Sequence, residues 1–244
     1  MDPRKRNIKA IEEKRTLSEK KIFMQNIKDL HKLSPYYGWV RMGSRDIYMY
    51  LNGKDDGVAL RWFWLNEFES TSLSLWEKLS HRFESIIDVG AHTGCYSLAA
   101  AELDRQKTIL AVEPLPVNLS RLSMNIEYND FKNIEILPAA AFSENTYLSI
   151  KNFNVYGYCV SGSVVSASSN SIPASRIQAF CLDHLPQKFS RRSLIKIDTE
   201  GHELKIIEGG IECIKKYRPI LAIEITSQNF ANIYQLLQEQ IMQV

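Results

Sequence analysis

Short hydrophobic runs alternate with stretches of helical periodicity from residue 85 to the end of the chain. The runs have the length and composition of buried strands, and they lie at Ser85–Val89, Thr108–Val112, Ile134–Leu137, 194–197 and 220–225. The stretches between them repeat apolar residues three or four positions apart, at Cys95–Leu103, 116–126, 202–216 and 229–240. The alternation predicts βαβ units, and therefore an α/β fold with a mostly parallel sheet and helices on both faces.

The N-terminal third of the chain follows a different pattern. Residues 4–33 contain neither Gly nor Pro, and apolar residues such as Ile8 and Ile11 recur at helical spacing. One or two amphipathic helices are therefore expected there. Two short strands are expected at 46–50 and 59–65, on either side of a Gly- and Asp-containing turn.

Three further segments interrupt or precede the regular region. A helix is expected around residues 73–79. The runs 147–150 and 177–181 are predicted to be added edge strands. They flank the Ser-rich stretch 161–175, which is predicted to be a loop.

Composition narrows the class of protein without identifying it. The 244 residues are 45% hydrophobic and 24% charged, as expected for a globular protein of one large domain or one domain with an extension. The 4 cysteines form no C-x-x-C pair, which excludes a zinc ribbon and favours a reducing compartment. The chain has no apolar stretch long enough to span a membrane and its first residues do not resemble a secretion signal. We therefore predict a soluble, cytoplasmic protein.

Positive charge is concentrated at the N-terminus. Residues 1–33 hold 10 Lys or Arg and 5 Asp or Glu, a local +5, so the formal net charge of +2 leaves −3 for the rest. So small a net charge does not favour nucleic acid as a specific partner. Two interpretations of the basic stretch stay open: a helix packed on the core with a solvated face, or an arm that contacts an anionic membrane surface or another polyanion.

A turn with two glycines follows the first of the regular strands. It comprises Asp88, Gly90, His92 and Gly94, and its glycines permit a ligand to approach backbone N–H groups closely. It differs from the dinucleotide-binding G-x-G-x-x-G motif, because His92 occupies the second glycine position. A carboxylate at Asp88 suits a ligand with a cationic part or an amino group.

An acidic residue also follows the next strand, where Glu113 precedes Pro114. A carboxylate offers two acceptor oxygens, so Glu113 is suited to accept both hydroxyls of a ribose. Ligands of open α/β sheets bind beyond the carboxyl ends of the strands. Either feature alone is compatible with a structural turn, but together the two turns predict an adenosine site.

The strongest cluster of ionisable residues lies at 196–203, where a buried strand meets a helix. Asp198, Glu200, His202 and Glu203 fall within this short segment, and such clusters are where perturbed pKa values are expected. Glu200 and Glu203 are also compatible with a structural role at the helix N-terminus. Asp198, at the strand end, is expected to face the crevice.

These motifs resemble those of the FkbM-type class I S-adenosylmethionine-dependent methyltransferases. The resemblance covers about residues 45–240 and is carried by the segments 86–94, 113–114, 194–203 and 218–224, with weaker similarity at Phe68-Glu69 and 161–163. It implies a Rossmann-like methyltransferase domain at 46–244, preceded by a basic helical extension at 1–45. It also implies S-adenosylmethionine as cofactor and a hydroxyl of a sugar, glycolipid or natural product as methyl acceptor.

The resemblance further implies roles for individual residues. The expected cofactor-binding residues are Asp88, Gly90, His92 and Gly94 toward the methionine end, Glu113 and Pro114 at the ribose, and Ala140 and Glu144 at the adenine. His92 stands where the family commonly has Asn, so its contact is left open. The chain also ends soon after its last predicted helix, so either the C-terminal strand pair is shortened or the sequence is truncated.

Methyl transfer to an alcohol requires in-line alignment and removal of the hydroxyl proton. We expect Asp198 to position or deprotonate the acceptor hydroxyl, assisted by Glu200 or His202. A divalent cation on these three residues is an alternative that their spacing does not demand, so no metal is predicted. The aromatic segment 36–76 and the loop 153–175 are where acceptor selection is expected.

Two other classes of protein remain as alternatives. A nicotinamide-dependent oxidoreductase would share the sheet and Glu113, but the missing glycine and Asp88 disfavour it. A non-catalytic partner domain would bind S-adenosylmethionine without turnover. A nucleic-acid methylase is disfavoured because the chain has no Asn-Pro-Pro-aromatic motif.

Overall fold

The computed structural model describes residues 3–19, 27–151, 163–166, 176–185, 188–190, 192–227 and 229–240. The strands are β1 (Tyr36–Arg41), β2 (Tyr48–Gly53), β3 (Ser85–Val89), β4 (Thr108–Val112), β5 (Ile134–Leu137), β6 (Ala140–Ala141), β7 (Thr146–Lys151), β8 (Ser163–Ser166), β9 (Arg176–Phe180), β10 (Ser193–Ile197) and β11 (Ile220–Ile223). The helices are α1 (Pro3–Glu19), α2 (Ile27–Leu30), α3 (Gly57–Leu65), α4 (Ser70–Ser80), α5 (Cys95–Leu103), α6 (Pro116–Tyr128), α7 (Glu203–Glu208), α8 (Ile211–Tyr217) and α9 (Phe230–Gln240). None of the helices in these ranges has the length and apolar character needed to cross a membrane.

A five-stranded parallel sheet with strand order β11-β10-β3-β4-β5 forms the centre of the molecule. Its strands pair in register, so Ile87 of β3 lies between Ile195 of β10 and Leu110 of β4. The connections β3-α5-β4, β4-α6-β5 and β10-α7-α8-β11 are helical, as parallel neighbours require. The predicted parallel sheet of βαβ units is confirmed, and its strands all end at one edge.

Successive residues of the central strands pack against different helix layers. Ile86 and Ile109 lie in a core that includes aromatic residues of α3 and α4. Ile87 and Ile195 lie in a separate core with apolar residues of α7, α8 and α9. Helices therefore cover both faces of the sheet, as the apolar strand sequences predict.

The segment 59–65 belongs to helix α3, so the strand predicted there is wrong. The helix begins at the N-cap Asp56, whose Oδ1 accepts hydrogen bonds from the backbone N–H groups of Val58 and Ala59 at 2.8 and 3.1 Å. Its successive residues from 62 to 64 are all buried, so the apolar run shows no alternation. A short run buried on every side has the same pattern in a strand and in a helix.

Strand β2 pairs instead with β1, an antiparallel strand that was not predicted from the sequence. The two strands lie on either side of residue 45, where the start of the methyltransferase domain is expected. That boundary stays a prediction.

Helix α1 packs against this hairpin through a polar residue. Asn7 Oδ1 accepts a hydrogen bond from Tyr37 N at 2.9 Å, and Asn7 Nδ2 donates one to Tyr37 O at 2.7 Å. Ala10 is buried on the same side, whereas Ile8 and Ile11 are 49% and 54% exposed. The apolar spacing predicts the helix but not its buried face. Contact of its exposed side with a membrane stays a prediction.

The single helix predicted at 202–216 is divided into α7 and α8 by Gly209 and Gly210. A Cβ at Gly209 would lie 2.2 Å from Phe142 O and 2.8 Å from Ser143 Cα. The backbone after β6 therefore approaches the end of α7 more closely than any side chain permits. This tertiary contact explains the break, which the periodicity does not reveal.

A second sheet, with strand order β6-β9-β7-β8, is separate from the parallel sheet. The predicted edge strands 147–150 and 177–181 overlap β7 and β9, which pair with each other and not with the central sheet. Strand β8 lies inside the predicted loop 161–175, whose other residues lie outside the described ranges. In the described part of the chain no strand follows β11, so no C-terminal strand pair is seen there.

We predict that Gly209→Ala lowers the free energy of unfolding by about 2–3 kcal/mol, because the added methyl group meets backbone atoms that cannot move independently. Gly210→Ala is the matched control: its Cβ would lie 3.1 Å from side-chain atoms of Leu182, and a smaller loss is expected. Urea unfolding of the two variants and the wild type measures both effects. Equal stability of the two variants would contradict the steric explanation.

Candidate active site

A cavity of about 420 Å³ opens at the carboxyl ends of β3, β4, β10 and β11. The turns that follow these strands line it, together with the first turns of α3 and α5 and the residues before α4. Its polar wall comprises Arg61, Glu69, His92, Thr93, Tyr96, Glu113, Asn118, Lys196, Asp198, Thr199, Glu200, His202 and Glu224. This is the edge at which open α/β sheets bind ligands.

The turn after β3 lies directly against the turn after β10. Gly90 has a φ of +81°, and a Cβ there would lie 1.8 Å from Asp198 O. His92 also has a positive φ, +52°, and its backbone N–H donates to Glu113 Oε2 at 2.9 Å. Glycine is therefore required at position 90 both for its conformation and for the approach of the two strand ends.

Glu113 holds the neighbouring turns together from the cavity wall. Besides His92 N, it accepts hydrogen bonds at Oε1 from Leu115 N at 2.9 Å and from Asn118 Nδ2 at 3.2 Å. Burial raises the pKa of this carboxyl, and the hydrogen bonds favour its charged form. Three of the roughly four acceptor positions of a carboxylate are thus used within the protein, which leaves fewer for a ribose than the sequence suggests.

Lys196 bridges two carboxylates at the base of the cavity. Its Nζ lies 2.7 Å from Asp198 Oδ2 and 3.8 Å from Asp88 Oδ1, and its side chain is 9% exposed. The same atom lies 4.7 Å from the centre of the Tyr96 ring. Burial alone would lower the pKa of Lys196, but the charges of Asp88 and Asp198 raise it above its ordinary value. The amino group of Lys196 is therefore protonated.

Asp88 itself is fully buried and does not line the cavity. Its Oδ2 accepts a hydrogen bond from Ser97 Oγ at 2.6 Å, while Oδ1 has no hydrogen-bond partner among the described residues. Burial raises its pKa, an effect that Lys196 and Ser97 oppose. Asp88 thus influences the cavity through the ammonium of Lys196.

Glu224 lies beside Asp198 at the mouth of the cavity and was not identified from the sequence. Strands β10 and β11 pair in register up to Ile197 and Ile223, so the next residues of the two strands are neighbours. Glu224 donates a hydrogen bond to Asp198, and this bond is the main reason that the pKa of Glu224 is raised to about 8. The sequence predicted a strand over 220–225, which placed Glu224 inside the strand. In the structure β11 ends at Ile223, so Glu224 follows the strand end.

Asp198 is held in its ionised form. Burial opposes its ionisation, but the Lys196 ammonium and the hydrogen bond from Glu224 lower the pKa of Asp198 below its ordinary value. Its side chain is 27% exposed and lines the cavity. The prediction that Asp198 faces the crevice therefore agrees with its position.

Tyr96 and Glu69 form a second polar contact in the wall. Tyr96 Oη donates a hydrogen bond to Glu69 Oε2 at 2.6 Å. Burial, together with this bond, raises the pKa of Tyr96, so the phenol stays protonated. Tyr96 lies in the first turn of the Ala-rich helix α5, where nothing in the sequence distinguished it from a core residue.

Glu203 shapes the turn that carries Glu200 and His202. Its Oε1 accepts hydrogen bonds from Thr199 N and Gly201 N, both at 3.0 Å, and the residue is 2% exposed. Glu200, with a φ of +57°, and His202 line the cavity. His202 Nε2 is buried without a hydrogen-bond partner in the described part of the chain.

Most of the predicted site residues line this one cavity. They are Gly90, His92, Glu113, Pro114, Ala140, Asp198, Glu200 and His202. Gly94 does not line it, and a Cβ there would lie 2.5 Å from Leu122 Cδ1, so its glycine serves helix packing. Glu144 is exposed and also lies outside the wall. No group of three or more His, Cys, Asp or Glu residues in the described ranges is arranged to hold a metal ion.

Comparison with known proteins identifies the family to which the sequence is similar. The Methyltransferase FkbM domain matches residues 88–241. A curated relative, Methyltransferase 1 of Beauveria bassiana (strain ARSEF 2860), is 24% identical over 144 residues, which cover 51% of this chain and 57% of the relative.

The crystal structure of Methyltransferase FkbM from Methylobacillus flagellatus KT is similar in fold. It is 15% identical, with a TM-score of 0.50, and the match covers 89% of this chain and 52% of that one. The chain thus spans little more than half the length of either relative. The likeness confirms the methyltransferase-type α/β fold.

We predict that Lys196→Met lowers the free energy of unfolding by about 3–5 kcal/mol near neutral pH, because it leaves Asp88 buried without a compensating charge. Without the ammonium the pKa of Asp88 rises further. The folded variant then binds a proton more readily than the unfolded chain, so the deficit shrinks as the pH is lowered. Urea unfolding at about pH 7 and about pH 5 measures this.

Lys205→Met is the matched control, since Lys205 forms an exposed pair with Glu208 and is expected to matter by less than about 0.5 kcal/mol. A deficit in Lys196→Met that is the same at both pH values would contradict the role of the ammonium in opposing the rise in the pKa of Asp88.

Proposed function

The chain belongs to the FkbM methyltransferase family, and from this premise we propose that it methylates a hydroxyl group of a sugar, glycolipid or natural product. The family makes it a methyltransferase with S-adenosylmethionine as cofactor. The main support for an alcohol as the methyl acceptor is the pair of carboxyl groups, Asp198 and Glu224, at the cavity mouth. An alcohol is a weak nucleophile unless a base removes its proton as it reacts.

The charges around the cavity fit a cationic cofactor. S-adenosylmethionine carries a sulfonium and an ammonium group against one carboxylate. Besides Glu224, whose pKa is raised to about 8, the wall presents four acids and two bases, namely Glu69, Glu113, Asp198 and Glu200 with Arg61 and Lys196. The volume of about 420 Å³ also falls within the range of about 300–1,000 Å³ that small-molecule sites occupy.

We place the adenosine half of the cofactor beside the turn after β4. Glu113 retains acceptor capacity for a ribose hydroxyl, and the small side chain of Ala140 leaves room for a flat base. Gly90 and His92 then lie toward the methionine half. Glu144 is exposed outside the wall, so its expected contact with adenine is the weakest part of this placement.

The residues of the cavity divide the work of transfer between them. When bound, the cofactor supplies a methyl group activated by the positive sulfur. Asp198, fixed by Lys196, accepts a hydrogen bond from the acceptor hydroxyl and aligns its oxygen. His202 and Glu200 border the same space and are suited to hold further hydroxyls of the acceptor.

The alternative of a non-catalytic partner domain differs from this proposal only in the absence of turnover. A non-catalytic partner domain would bind S-adenosylmethionine in the same cavity but would release no S-adenosylhomocysteine with any acceptor. The oxidoreductase alternative predicts affinity for a nicotinamide dinucleotide, which the family membership argues against.

We predict that Glu113→Gln weakens S-adenosylmethionine binding about 10-fold or more, because a neutral amide replaces a charged acceptor. Calorimetric titration measures the affinity. Glu127→Gln, an exposed change on α6, is the matched control and is expected to bind like the wild type. Thermal unfolding of each variant separates loss of the contact from loss of the fold. Unchanged affinity in a folded Glu113→Gln protein would contradict the ribose assignment.

We predict that the protein transfers labelled methyl groups to the hydroxyl groups of methyl glycosides. It is expected not to methylate analogues in which amino or thiol groups replace all the hydroxyls. Asp198→Asn is expected to lower kcat about 100-fold while the cofactor affinity changes little, because the hydroxyl loses its aligning acceptor. Release of S-adenosylhomocysteine measures the turnover of the wild type and of the variant, and calorimetric titration measures the cofactor affinity. Cofactor binding without turnover on any glycoside would favour the non-catalytic alternative.

A further inference from the structure

We infer that Glu224 is the catalytic residue that receives the proton of the acceptor hydroxyl, with Asp198 orienting that hydroxyl. The inference rests on the proposed transfer to an alcohol and adds the identity of the base. Its basis is geometric: Glu224 follows β11 and lines the same cavity as Asp198. The two residues are neighbours across adjacent strand ends, where Glu224 N donates a hydrogen bond to Ile197 O at 2.9 Å.

Asp198 is the poorer proton acceptor of the two. Its Oδ2 lies 2.7 Å from the ammonium of Lys196, and it also accepts the hydrogen bond from Glu224. Both interactions stabilise the ionised carboxylate and would be weakened if Asp198 took up a proton. A group held ionised in this way is suited to accept a hydrogen bond but not to remove a proton.

Glu224 has the opposite environment. Asp198 beside it, together with the negative charges of Glu200 and Glu69, raises the pKa of Glu224 to about 8. The carboxylate form is therefore a stronger base than an ordinary Glu, and general bases work best with a pKa near the working pH. Glu224 is also exposed at the mouth, so it can return its proton to water after each turnover.

The proposed step balances in atoms and charge. The acceptor oxygen bonds to the methyl carbon as the carbon–sulfur bond breaks with its electron pair going to sulfur, and the hydroxyl proton passes to the ionised Glu224 carboxylate. Below the pKa of Glu224 this carboxyl is already protonated and donates to Asp198. Activity should therefore rise with pH and level off above about 8.

The shared proton can be measured without any acceptor. The full chain is labelled with ¹³C at its glutamate carboxyl carbons, and the Glu224 signal is assigned by its loss in Glu224→Gln. We expect it to titrate near 8 in the wild type and closer to the usual value of about 4.3 in Asp198→Asn. A wild-type midpoint near the usual value would overturn the proposal.

Kinetics then tests the role of the group, with the methyl glycoside that the wild type methylates fastest as acceptor. Glu224→Gln is expected to lower kcat about 100-fold or more, to remove the rise with pH and to leave the calorimetric affinity for S-adenosylmethionine unchanged. Asp198→Asn is expected to move the rise to lower pH. The control Glu212→Gln, an exposed change on α8, should behave like the wild type.

The two failures are distinguishable. Wild-type kcat in Glu224→Gln, or a flat wild-type profile between about pH 6 and about pH 9, would overturn the role of Glu224 and leave the methyltransferase assignment intact. A wild type that binds the cofactor but methylates no glycoside would contradict the proposed acceptor, and with it a base for that acceptor.

Discussion

The site depends on one buried ammonium, that of Lys196, held between Asp88 and Asp198. Removing such a charge from water is costly unless opposite charges compensate it at close range. Asp198 directly follows the strand that carries Lys196, whereas Asp88 lies on the neighbouring strand β3. The compensation by Asp88 therefore exists only while β3 and β10 stay paired in register. Apolar packing on both faces of the sheet maintains that register. The edge of the sheet that carries the cavity is thus stabilised by the same core that stabilises the fold.

The ammonium also sets the chemistry of the cavity mouth. Because Lys196 keeps Asp198 ionised, Asp198 in turn makes the neighbouring Glu224 hard to ionise. In the proposed mechanism, these two carboxyl groups of similar intrinsic acidity thereby have different tasks, Asp198 as a fixed acceptor and Glu224 as a base. On the other side of the cavity, Glu113 spends much of its hydrogen-bonding capacity on joining adjacent turns. Hydrogen bonds within the protein and contacts to a ligand therefore compete for the acceptor positions of Glu113.

The regular part of the fold was predictable because buried parallel strands leave continuous apolar runs. The observed strands β3, β4 and β5 and helix α5 have the predicted bounds. The errors fall where tertiary contacts override local pattern. Helix α3 is buried on successive residues and so lacks an amphipathic signal, while a backbone contact at Gly209 divides the helix predicted at 202–216. The buried face of α1 is chosen by Asn7, a polar residue that hydrophobic spacing ignores.

The sequence by itself determined the βαβ order, the edge of the sheet at which the cavity opens and the placement of Asp198 and Glu113 at strand ends. These are properties of position along the chain, which periodicity and turn residues encode locally. Only the tertiary structure decided that Asp88 lies behind Lys196, that Glu144 lies outside the cavity and that Glu224 lies at its mouth. Burial and pKa depend on side chains from strands distant in sequence, so neither can be read from the local pattern that carries the residue.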